Sequence, residues 1–286
     1  MTTATEFEYL RDAAQVRPLR GMGEWAEAEV VIPDGDFAGY RYRLKRQPVA
    51  GLFFNEVDSG RWNRFAATGP QQSGKSLSFY IIPAMYHLFE IKEAIIVGLP
   101  TMDIARDKWQ RDFKPAIEAS RFRELLPRTG PGARGGTPEL ITFGNGATLK
   151  FMSGGGGDEK RSAYTARVLV VTEADKLKQM EGRTRAYDKR KRVYLECTVS
   201  IDTGRIWTEY NNGTASRVCL PCPGCGAWVS PEREDLHGWR EAANEYEADL
   251  SACFACPSCG QFWSEAERAA ANANPRLVHK TQEIHA

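Results

Sequence analysis

The stretch RFAATGPQQSGKS, residues 64–76, decides how this chain is read. Its first five residues form a short strand-like run. Its remainder, Gly69 to Ser76, satisfies G-x-x-x-x-G-K-S in full. A loop with this spacing wraps a phosphate, because successive backbone N–H groups turn inward and glycine supplies backbone angles that other residues avoid. The helix expected over Ser76–Leu88 then starts at the phosphates and adds its N-terminal dipole, with Pro83 expected to kink it. In this arrangement Gly69, Pro70, Gln71, Gln72, Ser73 and Gly74 form the cradle. Lys75 contacts the β- and γ-phosphates and Ser76 ligates Mg²⁺.

Outward from this loop, strands and helices alternate. AIIVGLP (94–100) is a buried-type strand, followed by a helical stretch from Met102 to about Ala119. LITFGNGATLKFMS (140–153) predicts a hairpin with Asn145-Gly146 at its turn. RVLVVTEAD (167–175) carries four successive apolar residues, as expected when both faces of a sheet are covered. RVYLECTVS (192–200) is a further strand. Strands spaced by helices predict an α/β fold, a P-loop NTPase with a mostly parallel sheet flanked by helices. The expected organisation is an N-terminal leading segment (1–44) with a turn at Pro33-Asp34-Gly35, an ATPase domain (45–217), a small zinc-ribbon-like module (218–262) and a C-terminal tail or linker (263–286).

VLVVTEAD (168–175) is the second chemical motif. A P-loop ATPase needs a carboxylate at a strand end to hold Mg²⁺ through water, and usually a glutamate beside it to activate the attacking water. The usual order is four apolar residues, then Asp-Glu. Here Thr172 occupies the aspartate position and Glu173 follows, which makes Glu173 the candidate catalytic base. Thr172 can orient a metal-bound water but brings no charge. Asp175 either substitutes for the missing carboxylate or caps a helix. Arg161, after the run Gly154–Gly157, suits a finger that stabilises the γ-phosphate of a neighbour's nucleotide, or is a surface arginine. Thr198, after the RVYLE strand, suits a sensor of nucleotide state, and Gln47 suits a reader of the adenine edge.

Seven cysteines occur, six of them between Cys219 and Cys259. PCPGCG and ACPSCG hold two C-P-x-C-G knuckles, Cys222/Cys225 and Cys256/Cys259. Two knuckles supply a tetrahedral Cys₄ site for Zn²⁺, with the thiolates turned inward by glycine turns. A redox pair or an iron–sulfur site is the lesser alternative. Cys219 and Cys253 extend both clusters, as spare thiols or as ligands of a rearranged site. His237 is the only histidine near the module and is expected to be an ordinary surface residue.

Composition excludes some classes. With 42% hydrophobic and 26% charged residues over 286 positions, the chain is globular rather than disordered. No apolar run approaches the roughly 18 residues of a membrane span. The N-terminus shows no basic-then-apolar pattern, so no secretory signal is expected. The net charge of +1 hides local asymmetry: residues 160–192 hold 11 Lys/Arg against 4 Asp/Glu, and residues 231–250 hold 7 acids against 2 Arg.

Taken together, the motifs resemble the large terminase subunits of tailed bacteriophages, of the lambda-like type. The resemblance runs from about Trp25 to the last residues. It rests on the phosphate loop, IIVGLPTMDIARDKWQRDFKPAIEAS, the glycine loop with Arg161, VLVVTEAD, EGRTRAYDKRKRVYLECTVS, GRIWTEYNNGT and the Pro-Cys-Pro-x-Cys-Gly knuckle. It implies an ATP-hydrolysing motor that translocates double-stranded DNA into a procapsid, in the cytoplasm of the bacterial host. ATP, Mg²⁺ and Zn²⁺ are the implied cofactors. The implied partners are DNA, the small terminase subunit and the portal or procapsid, with a homo-oligomeric ring as the active form and no membrane. Lys75 and Ser76 carry over as phosphate and Mg²⁺ contacts, Glu173 as catalytic base, Arg161 as a trans-acting finger and Thr198 as a coupling residue. The basic segment 176–192 is the candidate DNA grip. Two departures stand out: Thr172 replaces the expected aspartate, and the chain ends soon after Cys259, where the family's nuclease domain would begin, so no DNA cleavage is expected. The alternative is a DNA- or partner-binding adaptor with a degenerate nucleotide site.

Overall fold

The computed structural model describes residues 18–70, 73–133, 139–153, 164–176, 181–199 and 203–282. Its centre is a six-stranded sheet in the order β1 (Arg64–Thr68), β6 (Arg192–Cys197), β5 (Val168–Thr172), β2 (Ile95–Leu99), β4 (Thr148–Ser153), β3 (Leu140–Thr142). All neighbours are parallel except β3, which returns antiparallel beside β4 through the Asn145-Gly146 turn. The fold is therefore the mostly parallel α/β architecture expected from the sequence.

Every residue of β2 and β5 is buried, because apolar side chains on both pleats meet a covered sheet face. On one face Val97, Val168, Val170 and Tyr194 join a core of large aromatic residues, among them Trp25, Trp109, Phe54, Tyr80 and Phe113. On the other face Ile96, Leu169, Val171, Val193 and Leu195 pack with Ile206. Trp25 lies on the Met22–Glu29 helix, so part of the leading segment belongs to the same core as the sheet.

The helix after the phosphate loop runs on past Pro83. A π-helical turn, Leu77–Ile81, precedes the α-helical stretch Ile82–Tyr86. The same device recurs at Pro115, where the π-helical turn Lys108–Phe113 precedes Lys114–Glu118. A wider turn accommodates the proline ring at the point where the helical ladder loses an N–H donor.

At the N-terminal ends of the strands lies a partly buried polar cluster. Arg167 donates two hydrogen bonds of 2.6 Å to Glu93. His87 Nδ1 is 2.6 Å from Glu93 Oε1, and its Nε2 is 2.9 Å from the Tyr194 hydroxyl. The carboxylate only accepts, so Nδ1 carries the proton and the neutral ring accepts from Tyr194. Burial pushes the His87 pKa down. For Glu93 burial opposes ionisation, but the hydrogen bonds from His87 and Arg167 hold its pKa down at about 2.

The cysteine-rich part is a separate small core of Cys222, Val229, Cys256, Trp263 and Ala271. Strand β7 (Arg217–Pro221) pairs antiparallel with β8 (Trp228–Val229) on one side and with β11 (Arg276–Val278) on the other. The strands β9 (Leu236–His237) and β10 (Cys253–Phe254) form a second ribbon between the two knuckles. Among the described residues no helix is long and apolar enough to cross a membrane.

Candidate nucleotide site and metal centre

Parallel α/β sheets bind ligands beyond the C-terminal ends of their strands, and here three neighbouring strand ends carry the polar residues. Strand β1 leads into the loop Gly69–Ser76, β5 ends in Thr172-Glu173, and β6, lying between them, ends in Glu196-Cys197-Thr198. The register sets Glu196 directly opposite Ala67 on one side and Thr172 on the other.

Gly74 has φ of +75°, the left-handed region that favours glycine. A Cβ at this position would also lie 3.1 Å from Gln47 Nε2, so the Gln47 carboxamide packs directly on the loop. Ser73 Oγ donates to the Pro70 carbonyl at 2.9 Å and folds the loop back on itself. Lys75 Nζ donates to the same carbonyl at 3.3 Å and lies 3.7 Å from Glu196 Oε1. Beside the loop is a cavity of about 290 Å³, with Ser73, Gly74, Lys75 and Ser76 on one wall and Lys108 and Arg111 on another.

Thr172 is buried, and its hydroxyl donates to Glu196 Oε2 at 2.9 Å. Glu196 is itself only 3% exposed. Burial raises its pKa; the Thr172 hydrogen bond and the Lys75 charge act in the opposite direction. Glu173 is a non-glycine residue with φ of +54°. Such backbone strain is concentrated at functional sites.

Asp175 is turned to a different task. Its Oδ1 accepts the Ile206 backbone N–H at 2.7 Å, which caps the helix Arg205–Asn212 from outside. The N-cap residue of that helix, Gly204, has no side chain to do this. A Cβ there would lie 2.6 Å from Asp175 Oδ2. Farther along, Glu209 accepts from Arg64 Nε at 2.7 Å, which fastens the helix to β1. Of the two readings open for Asp175, the structure shows the helix cap.

Thr198 follows β6, and its carbonyl accepts from the Cys197 thiol at 3.2 Å. Arg161, Gln71 and Gln72 lie outside the described residues. The sequence reading missed Glu196, Lys108 and Arg111. An acid inside the buried run VYLEC was the available signal for Glu196. The other two become visible only once the helix after β2 is laid beside the loop.

These features suit a nucleoside triphosphate, and a comparison with known families decides which kind of protein carries them. Residues 38–276 match the family described as phage terminase large subunit gpA, ATPase domain. The chain belongs to this family. Membership gives it the character of an ATPase domain and a place in phage DNA packaging. Among solved structures, a variant of the ATPase domain of the Thermus phage P74-26 large terminase is similar, with 14% identity, 60% of this chain and 70% of that chain covered, and a TM-score of 0.37. No curated protein matches the chain.

The terminase ATPase domain continues into the four-thiol cluster. The sulfur atoms of Cys222, Cys225, Cys256 and Cys259 all lie within 4.8 Å of one another. Cys222 and Cys259 are 3.9 Å apart, and Cys225 and Cys256 are 4.0 Å apart. A tetrahedral ion with Zn–S bonds of about 2.3 Å requires sulfur–sulfur separations of roughly 3.8 Å. The donor set therefore fits Zn²⁺. Each knuckle is closed by a glycine N–H, from Gly226 to the Cys222 carbonyl and from Gly260 to the Cys256 carbonyl. Cys219 sits on β7 and Cys253 on β10, outside this group of four.

Proposed function

We propose that this terminase ATPase domain hydrolyses ATP to drive double-stranded DNA into a procapsid. The observation that carries the reading is the meeting of the phosphate loop, Thr172-Glu173 and Glu196 at three adjacent parallel strand ends, in a chain of the terminase ATPase family.

The residues divide the work. Gly69–Ser76 binds the triphosphate through backbone N–H groups, and Lys75 swings from Glu196 to the β- and γ-phosphates. Ser76 is the protein ligand for Mg²⁺, which when bound offsets the charge developing on the phosphoryl oxygens. Glu173 accepts the proton of the attacking water. Gln47, packed on Gly74, holds the loop and reads the adenine edge. Arg161 from a neighbouring subunit of a homo-oligomeric ring completes the site, and Thr198 passes loss of the γ-phosphate to the strand behind it. The basic segment 176–192 grips DNA phosphates without reading sequence, so binding weakens steeply with salt. Cys222, Cys225, Cys256 and Cys259 hold a structural Zn²⁺, with all four positions filled and none open for catalysis. The small terminase subunit and the portal of the procapsid are the partners, in the host cytoplasm.

The test is steady-state ATP hydrolysis against protein concentration, with and without duplex DNA, beside Lys75→Ala and Glu173→Ala. Both variants inactive, with wild-type specific activity rising with concentration, is the expected result. A wild type no faster than Glu173→Ala refutes the catalytic assignment.

A further inference from the structure

The β5 motif lacks the carboxylate that a Mg²⁺·nucleotide site requires, since Thr172 is neutral. A carboxylate is nevertheless present at that level of the sheet, one strand over. Glu196 of β6 is register-paired with Thr172 and receives its hydroxyl hydrogen bond on Oε2. Its other oxygen, Oε1, faces Lys75 at 3.7 Å. A side chain that is only 3% exposed does not carry an isolated charge without a large solvation cost. In the structure the nearest compensating charge is Lys75, and the Lys108 charge adds a smaller contribution of the same sign.

That pairing cannot persist when a triphosphate occupies the loop, because Lys75 then serves the phosphates. Glu196 then loses its nearest cation while remaining buried. The cation that arrives with the nucleotide is the divalent one. Moreover, Thr172 fixes the carboxylate plane from the far side and leaves Oε1 turned toward the loop, where Ser76 begins the following helix.

We infer that Glu196, held by Thr172, is the positioning carboxylate for the water shell of nucleotide-bound Mg²⁺, so that the acid missing from β5 is supplied by β6. This rests on the ATPase reading above. It makes the threonine part of a two-strand version of the site rather than a mark of degeneracy.

The test measures binding of a fluorescent ADP to the full chain with and without Mg²⁺, with Mn²⁺ EPR as a second readout that needs no turnover. Glu196→Gln keeps the shape and the acceptor for Thr172 but removes the charge. It is expected to reduce the Mg²⁺-dependent gain in affinity by about tenfold to a hundredfold, while metal-free binding, released from the Lys75–Glu196 pairing, is not weakened. The double variant Thr172→Asp/Glu196→Gln returns the carboxylate to β5 and is expected to recover most of that gain. A purely structural role for Glu196 predicts no such recovery. A folded Glu196→Gln with the wild-type Mg²⁺ response, or a folded double variant with no recovery, overturns the inference. Should Glu196→Gln fail to fold, Glu196→Asp, which retracts the charge by one methylene, takes its place: a several-fold loss supports the inference and an unchanged response overturns it. Lys75→Ala separates the two levels of the argument. If it binds nucleotide as wild type does, the phosphate-loop reading fails. If it does not, while Glu196→Gln matches wild type, only the role of Glu196 fails.

Discussion

Replacing Asp175 distinguishes a helix cap from a metal carboxylate, and the structure gives the size of the effect. Asp175→Ala removes the acceptor 2.7 Å from the Ile206 N–H, at a helix whose own N-cap residue is glycine. Loss of a capping side chain costs about 0.5–2 kcal/mol, and loss of a negative charge at a helix N-terminus adds about 0.3–1 kcal/mol. A loss of roughly 1.5–2 kcal/mol lowers Tm by roughly 3–8 °C for a domain of this size. Asp175→Asn keeps an acceptor and gives up only the charge, so its loss stays near 0.5 kcal/mol. Gly204→Ala drives a Cβ to 2.6 Å from Asp175 Oδ2 and expels the carboxylate. It therefore reproduces Asp175→Ala, and the two together cost much less than their sum. Thermal melting followed by near-UV circular dichroism reads the stability, and Mg²⁺-dependent binding of fluorescent ADP reads the site. An alanine variant that melts with wild type refutes the cap. An asparagine variant that melts nearly normally but has lost its Mg²⁺ response shows that the carboxylate serves the metal as well as the helix.

Three further outcomes follow from the geometry. Gly74→Ala forces a side chain into left-handed backbone and against Gln47; nucleotide binding should fall at least tenfold, and an alanine variant that binds normally contradicts the described loop. In the polar cluster, the depressed pKa of Glu93 means that its contribution is complete above about pH 4.5 and is lost as pH falls toward 2. The depressed pKa of His87 likewise favours the fold above pH 6.5 and withdraws support below it. Stability should thus decline below pH 6.5 through His87 and further below about pH 4.5 through Glu93; Glu93→Gln should cost roughly 2–3 kcal/mol at neutral pH and flatten the part of the decline below pH 4.5, and an unaltered profile there in urea melts goes against the cluster. Finally, elemental analysis should find one zinc per chain, lost on Cys256→Ser together with the near-UV signal of the adjacent Trp263; full zinc occupancy in that variant refutes the four-thiol centre.

The parts legible in the sequence were those encoded locally. The glycine loop between a strand and a helix at 69–76, the apolar strand VLVVT, the Asn145-Gly146 turn and the two C-P-x-C-G knuckles each sit within a few residues, and each has a spacing dictated by backbone geometry. Strands alternating with helices then gave the α/β class. What stayed hidden depends on which strands become neighbours. Nothing near Thr172 points to Glu196, because they meet only when β6 inserts between β1 and β5. Asp175 had two readings until the start of a helix thirty-one residues away appeared beside it. The pairing of β11 with β7 joins residues 276–278 to residues 217–219, and a three-residue strand carries no periodicity to announce it. Pro83 was legible as a disturbance, but not its accommodation by a preceding π-helical turn, nor the same device at Pro115.

The left-handed backbone of Glu173 has a consequence for any attempt to make this protein more robust. A non-glycine residue in that conformation costs on the order of 1 kcal/mol, which glycine or asparagine at the same position largely relieves. Selection for thermal tolerance alone should therefore favour Glu173→Gly or Glu173→Asn and enrich chains that fold better while losing the candidate base. Selection for turnover should restore glutamate at the expense of the melting point. At this one position durability and chemistry pull in opposite directions.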